Sequence, residues 1–144
     1  MAALTTWEVK ELVFAWFRKI TIKVPVEEML VMLSSEALEM KFPEETLKSH
    51  DDFKKWYQTV THQFFNQVHE VKVLDVDLNG DQATVNLIVN WQAETWTPPD
   101  PFSKWLGSYV QQTWQVKKDK NSEKVVIVKY DVGEFEPMEG LLKL

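Results

Sequence analysis

The sequence predicts a single α+β domain, a cone-shaped barrel in which a curved antiparallel sheet wraps around three N-terminal helices. Apolar residues recur at helical spacing in the first half of the chain and alternate with polar residues from Val68 onward. The length of 144 residues suits one hydrophobic core. We therefore expect one domain over residues 1–144, with its core at about 6–135 and a C-terminal tail at 136–144.

The first half of the chain predicts three helices and one short strand. Thr5 is followed three positions later by Glu8, the pattern of a capping box, which marks the start of the first helix. Pro25 suits the first turn of a second helix. The predicted elements are a helix over 6–20, a helix over 26–33, a strand over 37–42 and a helix that is capped by His50 or Asp51 and extends to about 65.

The second half predicts four antiparallel strands. Asn79-Gly80 is a strong signal for a tight hairpin turn. Three prolines between residues 98 and 101 exclude a central strand and predict a long loop. The predicted strands cover residues 68–77, 82–95, 108–118 and 124–134.

Composition excludes several classes of function. The net charge is −6 and Arg18 is the one arginine among 16 basic residues, which argues against nucleic acid as a partner. The absence of cysteine excludes disulfides and thiolate chemistry, and three scattered histidines do not form a metal site. The sequence has neither a secretory signal pattern nor an apolar run long enough to span a membrane, so we expect a cytoplasmic protein.

Aromatic residues on one face of the predicted sheet favour a pocket. Trp and Tyr offer a wide apolar surface with one polar group each, which suits a small apolar or carbonyl-containing ligand. The alternative is that these rings are ordinary core. The positions predicted to point inward are Val85, Leu87, Val89 and Trp91, then Gln112, Trp114 and Val116, then Val126, Val128, Tyr130 and Val132. The predicted ligand-binding residues are Trp16 and Trp56 from the helices with Trp91, Gln112 and Trp114 from the sheet.

His69 is the candidate for chemistry. It begins a strand in which Val71 and Val73 share its predicted face. Histidine titrates near neutral pH, so a pocket histidine can serve as a general base. In that case Tyr130 and Gln112 would bind a substrate oxygen. The alternative is a buried histidine that is satisfied by hydrogen bonds.

The order of elements and five short strings resemble the nuclear transport factor 2-like superfamily, nearest to its SnoaL-like branch and to a subgroup of unsettled function. The resemblance extends from Thr6 to about Phe135. It implies pocket proteins that include isomerases, dehydratases, aldol cyclases, epoxide hydrolases and carriers without activity. The strings are FPEETL at 42–47, FKKWY at 53–57, FFNQVHE at 64–70, VNWQ at 89–92 and QTW at 112–114.

Two of these enzyme classes match the chain poorly. The epoxide hydrolases of this fold use an Arg and two Asp residues, whereas Arg18 lies in the first predicted helix without such partners. Ketosteroid isomerases need a Tyr and two carboxyl groups. Tyr57 and Tyr130 are available here, but the alternation that points Tyr130 inward points Asp131 outward.

Dehydratases and cyclases fit better by residue type. The dehydratases of this superfamily have a His, an Asp and a Tyr, which His69, Asp75 and Tyr130 would supply. Cyclases have an Asp base beside a pocket His, and that Asp would be Asp75 or Asp131. The resemblance thus implies a cofactor-free isomerase, dehydratase or polyketide-cyclase-like enzyme for a small apolar carbonyl compound. The alternative is a ligand-binding or protein-interaction module without activity.

The outward face of the long strand at 82–95 is polar but almost uncharged. The superfamily implies a twofold dimer through this face, and Asn86, Ile88, Asn90 and Gln92 would form its surface. The alternative is a face in contact with water. Three aromatic residues flank the proline loop, as a lid or as further dimer surface, namely Trp96, Phe102 and Trp105.

Overall fold

A computed structural model of the chain describes residues 3–119 and 122–138. It contains three helices and six strands among those residues, and it confirms the predicted α+β class. The helices are α1 at Thr6–Thr21, α2 at Val26–Leu30 and α3 at His50–Gln63. The strands are β1 at Glu39–Lys41, β2 at Thr46–Leu47, β3 at Phe64–Asn79, β4 at Gln82–Thr95, β5 at Lys104–Lys118 and β6 at Val125–Pro137.

Helix starts follow the capping signals. The Glu8 backbone N–H donates to Thr5 Oγ1 at 3.2 Å and the Thr5 N–H donates to Glu8 Oε1 at 3.1 Å, which confirms the predicted capping box. The third helix is capped by Ser49, whose hydroxyl accepts from the Asp52 N–H at 3.1 Å, instead of by His50 or Asp51. A serine hydroxyl is a favoured N-cap acceptor, and the cap lies one residue before the nearer of the two predicted positions.

The sheet is curved, mixed and open. Its strand order is β2-β1-β6-β5-β4-β3, and all neighbours are antiparallel except β1 and β6, where Met40 pairs in parallel with Tyr130. This confirms the predicted curved sheet beside three N-terminal helices, and the parallel β1–β6 pair is a feature that the sequence did not predict. The parallel pair is possible because the chain passes through α3 and four further strands between β1 and β6.

Two β-bulges change which side chains face the helices. In β6, Lys129 pairs with Gln115 but Ile127 pairs with Val116, so Val128 is the extra residue. Ile127 therefore takes the fully buried core position. Val128 is therefore only half-buried, and Val126 lies on the side of the strand opposite to Ile127, although it is buried there at 6% exposure.

The second bulge lies in β3 between Val71 and Val73. His69 and Val71 face the helices as predicted. After the bulge, Leu74 and Val76 continue this face, whereas Val73 turns outward and is exposed. The core lies between this face of the sheet and the helices, and its largest fully buried side chains are Trp16, Phe53 and Trp114. None of the helices in the described part of the chain has the length and apolar character needed to cross a membrane.

Candidate functional site

A row of rings crosses the core from β3 to β6. The His69 imidazole stacks on Phe17 with ring centroids 5.6 Å apart, and Phe17 lies 5.6 Å from Trp114. Trp114 in turn stacks on Tyr130 at 4.8 Å with an interplanar angle of 29°. Trp16 of α1 contacts both Trp114 and Tyr130, at 6.1 and 5.6 Å. The structure therefore joins His69, Trp114, Tyr130 and Trp16 in one aromatic cluster.

The inner end of this row is buried and neutral. Burial raises the pKa of the Tyr130 phenol, against smaller opposing contributions from Trp16 and Gln112. Gln112 is itself buried, and its Oε1 accepts from the Trp114 indole N–H at 2.9 Å. The Trp16 indole N–H is buried, and it makes no hydrogen bond within the part of the chain that the structure describes. Tyr130 is thus a protonated phenol at any pH near neutrality.

Trp16 and Trp114 have no exposed surface and are packed as core. Trp56 is half-buried and joins the cluster through Phe42, whose ring lies 4.6 Å from Trp56 and 5.7 Å from Tyr130. Trp56 also lines an open, mostly polar surface groove of about 230 Å³. The other residues of that groove are Glu45, Thr46, Leu47, Asp52, Lys55 and Thr59.

His69 lies at the outer end of the row, where it is partly exposed. Its Nδ1 lies 2.8 Å from the Thr21 hydroxyl, which donates its own proton to the Phe17 carbonyl at 2.7 Å. With the hydroxyl hydrogen used in this way, Nδ1 must carry a hydrogen and donate to Thr21. Nε2 then holds the lone pair. Burial lowers the pKa of His69 to about 4, so the imidazole is neutral at pH 7.

Trp91 faces His69 across the β3–β4 pair. Phe64 and Phe135 contact the Trp91 ring edge-to-face, at 5.2 and 6.4 Å, and Phe135 is 45% exposed. The Trp91 indole N–H donates to Gln67 Oε1 at 3.2 Å. These aromatic residues form an apolar rim beside His69 at the edge of the core.

Two residues of this site, Gln67 and Thr21, were not predicted from the sequence. Gln67 stands two positions before His69 in the same strand, so the alternation of side chains could have found it. Thr21 is 48 positions away from His69, and only the packing of α1 on β3 brings them together. No local sequence pattern could have indicated that contact.

Neither of the two predicted carboxylates, Asp75 and Asp131, joins the site. Asp75, which was predicted to act with His69 and Tyr130, is exposed on the outer face of β3, because the bulge after Val71 reverses the alternation of the strand. Asp131 also points outward and is exposed, as its alternation with Tyr130 predicts. Among the residues that the structure describes, no group of three His, Cys, Asp or Glu side chains is arranged to hold a metal ion.

The outer face of the sheet is partly covered by the chain itself. Asn90 is 2% exposed, and its Nδ2 donates to the Met138 sulfur at 3.2 Å. Gln92 donates to Asn90 Oδ1 at 2.9 Å. Asn86 is exposed and Ile88 is half-buried, so this part of the face is open to a partner. Around the proline loop Trp96, Phe102 and Trp105 are 52%, 81% and 46% exposed, and Trp105 already belongs to β5.

Solved structures of other proteins share this architecture. A candidate scytalone dehydratase from Novosphingobium aromaticivorans has a TM-score of 0.72 at 15% identity, covering 95% of this chain and 94% of its own. A candidate dehydratase of the NTF2-like family from Streptomyces avermitilis has a TM-score of 0.73 at 13% identity, covering 93% and 96%. The LinA-type3 hexachlorocyclohexane dehydrochlorinase from Novosphingobium barchaimii has a TM-score of 0.75 at 10% identity, covering 96% and 92%.

The sequence itself matches no protein-family model and no curated protein. The structural likeness nevertheless extends over nearly the whole chain. It confirms the resemblance on which the sequence analysis relied: the chain has the nuclear transport factor 2-like fold.

Proposed function

We propose that this protein is a cofactor-free enzyme that removes a proton beside the carbonyl group of a small apolar compound. The outcome would be isomerisation or loss of water. His69 is the base in this proposal. The observation that carries it is the Thr21 hydroxyl at His69 Nδ1, because this contact holds the ring and directs the Nε2 lone pair away from α1.

The proposed step begins at the carbon next to the carbonyl. Nε2 of His69 takes the proton, and the electron pair of the broken C–H bond moves into an enolate. In an isomerase the imidazolium returns the proton to another carbon. In a dehydratase the enolate expels a β-hydroxyl group, which leaves as water with a proton from the imidazolium.

The low pKa of His69 favours its role as a general base in one respect and limits that role in another. A pKa of about 4 keeps Nε2 unprotonated at pH 7, so every molecule has a competent base. The same low pKa makes the base weak. The proton must therefore be one that a neighbouring carbonyl group acidifies. The negative enolate and the positive imidazolium formed by the transfer would then stabilise each other by charge attraction.

The solved structures of like fold support the reaction class by analogy. Two of them are candidate dehydratases and one is a dehydrochlorinase. Loss of water and loss of hydrogen chloride both break a C–H bond and an adjacent bond to a leaving group. At 10–15% identity these proteins share the fold with this chain, and the reaction is our inference.

A second candidate function is a binding module without turnover. The observation that favours it is the position of Asp75 and Asp131, whose carboxylates both lie exposed, away from His69. With neither of these two carboxylates to orient and charge-balance the base, the rim around Trp91 would serve only to hold a ligand. In that function His69 would have a structural role through Thr21.

Deuterium exchange separates the two functions. We would incubate the protein in D₂O with 1-indanone, acetophenone and cyclohexanone, and follow the loss of the protons beside the carbonyl group by proton NMR. Wild type should accelerate exchange of at least one ketone by about 10²-fold or more over His69→Asn. Asparagine keeps a donor for Thr21 and removes Nε2. Equal exchange rates for wild type and His69→Asn, with all three ketones, would reject the enzyme and support the binding module.

Two further features belong to this proposal. The protein would act as a homodimer through the open part of the outer sheet face around Asn86 and Ile88. It would work in the cytoplasm on a ligand that enters beside Trp91 and Phe135. Trp16, Trp56, Gln112 and Trp114 would shape the site from within, and Tyr130 would supply a neutral donor at its inner end.

A further inference from the structure

The orientation of the Gln67 side-chain amide is fixed by Trp91. An indole N–H can only donate a hydrogen bond, so the group 3.2 Å from Trp91 Nε1 must be the amide oxygen of Gln67. The amide nitrogen therefore points away from Trp91. No flip of the amide is possible without placing two donors against each other.

The Gln67 amide nitrogen is a buried donor without a partner. The residue is 8% exposed, and Nε2 makes no hydrogen bond in the part of the chain that the structure describes. Buried polar groups are nearly always satisfied, and an unsatisfied one is costly. A donor that is oriented, enclosed and unpaired next to a candidate base is the arrangement of a ligand-binding group.

A bulge in β3 places Gln67 beside His69. Asn66 adopts a left-handed conformation, with φ of 51°, within the register shift between Phe65 and Val68. Asparagine tolerates this conformation better than most residues. The shift brings His69 into register with Trp91, and Gln67 bonds the same ring. Gln67 and His69 thus share one face of the strand, with Cα atoms roughly 7 Å apart.

We propose that Gln67 Nε2 binds the carbonyl oxygen of the ligand on which His69 acts. This inference rests on the proposed function and specifies its ligand: a compound with a carbonyl acceptor set within an apolar body. The amide would hold the oxygen near Gln67 while Phe64 and Trp91 contact the apolar part. A hydrogen bond from an otherwise unsatisfied donor makes the site prefer a ketone over a hydrocarbon of the same shape.

The test compares each ketone with the alkene of the same shape. The pairs are 1-indanone with 1-methyleneindane, acetophenone with α-methylstyrene, and cyclohexanone with methylenecyclohexane. Titrations are followed by NMR of the ¹⁵N-labelled side-chain amides, and the Gln67 signal is assigned by its loss in Gln67→Glu. At least one ketone should bind about tenfold more tightly than its alkene and should shift the Gln67 amide signal.

Gln67→Glu keeps an acceptor for Trp91 and replaces the unpaired donor with an acceptor. The preference for the ketone should then fall to within about twofold. Gln67→Met, which carries no buried charge, should have the same effect if the Glu variant fails to fold. Gln115→Glu, at an exposed position of β5, is the matched control and should keep the preference.

Two results would overturn the inference. One is that no ketone binds better than its alkene. The other is a preference that persists in both Gln67→Glu and Gln67→Met. The binding assay is also run on His69→Asn, which separates this inference from the proposed function. A ketone preference that His69→Asn retains, together with no deuterium exchange by wild type, would support Gln67 and reject the base.

Discussion

The Nδ1 atom of His69 lies 2.8 Å from the hydroxyl of Thr21, whose own proton goes to the Phe17 carbonyl. Many catalytic histidines are oriented by a carboxylate, which also raises the basicity of the ring. A hydroxyl orients the ring without adding a charge. This difference explains why burial dominates the pKa of His69 and why the base in our proposal is weak but always available.

Replacing Thr21 with valine tests this orientation. Valine has the same shape but leaves the Nδ1–H of His69 without an acceptor, so the ring can change tautomer or turn. We expect deuterium exchange of the reactive ketone to fall by about tenfold, because a smaller fraction of molecules presents the Nε2 lone pair. The free energy of unfolding should fall by about 1 kcal/mol, measured by urea denaturation.

Thr59→Val is the matched control. Thr59 makes the same kind of intrahelical bond, from its hydroxyl to the Lys55 carbonyl at 3.1 Å, but among the described residues it has no hydrogen bond to a histidine ring. The Thr59 variant should exchange the ketone at the wild-type rate. Comparable losses in both variants would mean that Thr21 matters only to its helix.

The lowered pKa of His69 predicts how stability changes with pH. The folded value of about 4 lies below the ordinary value of 6.5, so between these limits the unfolded chain binds a proton that the folded chain does not. The contribution of neutral His69 to the free energy of unfolding is therefore complete above pH 6.5 and is lost as the pH falls towards 4. Its full size is at most about 3 kcal/mol.

The measurement compares wild type with His69→Asn by urea denaturation from pH 4 to pH 8. The difference between their unfolding free energies should be constant above pH 6.5 and should shrink progressively below it. Other groups titrate in both proteins and cancel in the difference. A difference that is flat across the range would show that the folded pKa of His69 is ordinary.

Periodicity in the sequence predicted most elements of this fold, but not where the alternation breaks. Val85, Leu87 and Val89 face the core as predicted because β4 is regular throughout. The bulge after Val71 in β3 and the bulge at Val128 in β6 depend on how neighbouring strands pair. Neither Asp75 nor Val128 carries a local signal of the shift, so both were assigned to the wrong face.

The sequence likewise predicted part of the candidate site but not all of it. His69, Trp91, Trp114 and Tyr130 could be chosen by residue type and strand parity. The partner of His69 could not, because the contact between α1 and β3 joins residues that are distant in sequence. The sequence also cannot predict how much space the rings leave between them, since that depends on side-chain volumes summed over several elements.

The outer sheet face should form a twofold dimer. Val73 and Ile88 pair with each other across β3 and β4 on this face, and Val73 is 42% exposed. We expect sedimentation velocity to give a dimer at micromolar concentration. Val73→Glu should yield a monomer, because an isologous contact places the two introduced charges near each other and leaves both desolvated.

Ile22→Glu is the control for this variant. Ile22 follows α1 and is 68% exposed, away from the outer sheet face. It should leave the sedimentation coefficient unchanged. A wild-type protein that sediments as a monomer at micromolar concentration would rule out the dimer.

Trp114→Ala determines whether the inner rings are core or pocket wall. Trp114 has no exposed surface, stacks on Tyr130 and donates to Gln112. Packing of this kind predicts a loss of about 3–5 kcal/mol in the free energy of unfolding. Trp7→Ala, at a position that is 74% exposed, should change it by less than about 0.5 kcal/mol. A loss below about 1 kcal/mol for Trp114→Ala, with weaker ketone binding, would instead identify Trp114 as a wall of the ligand site.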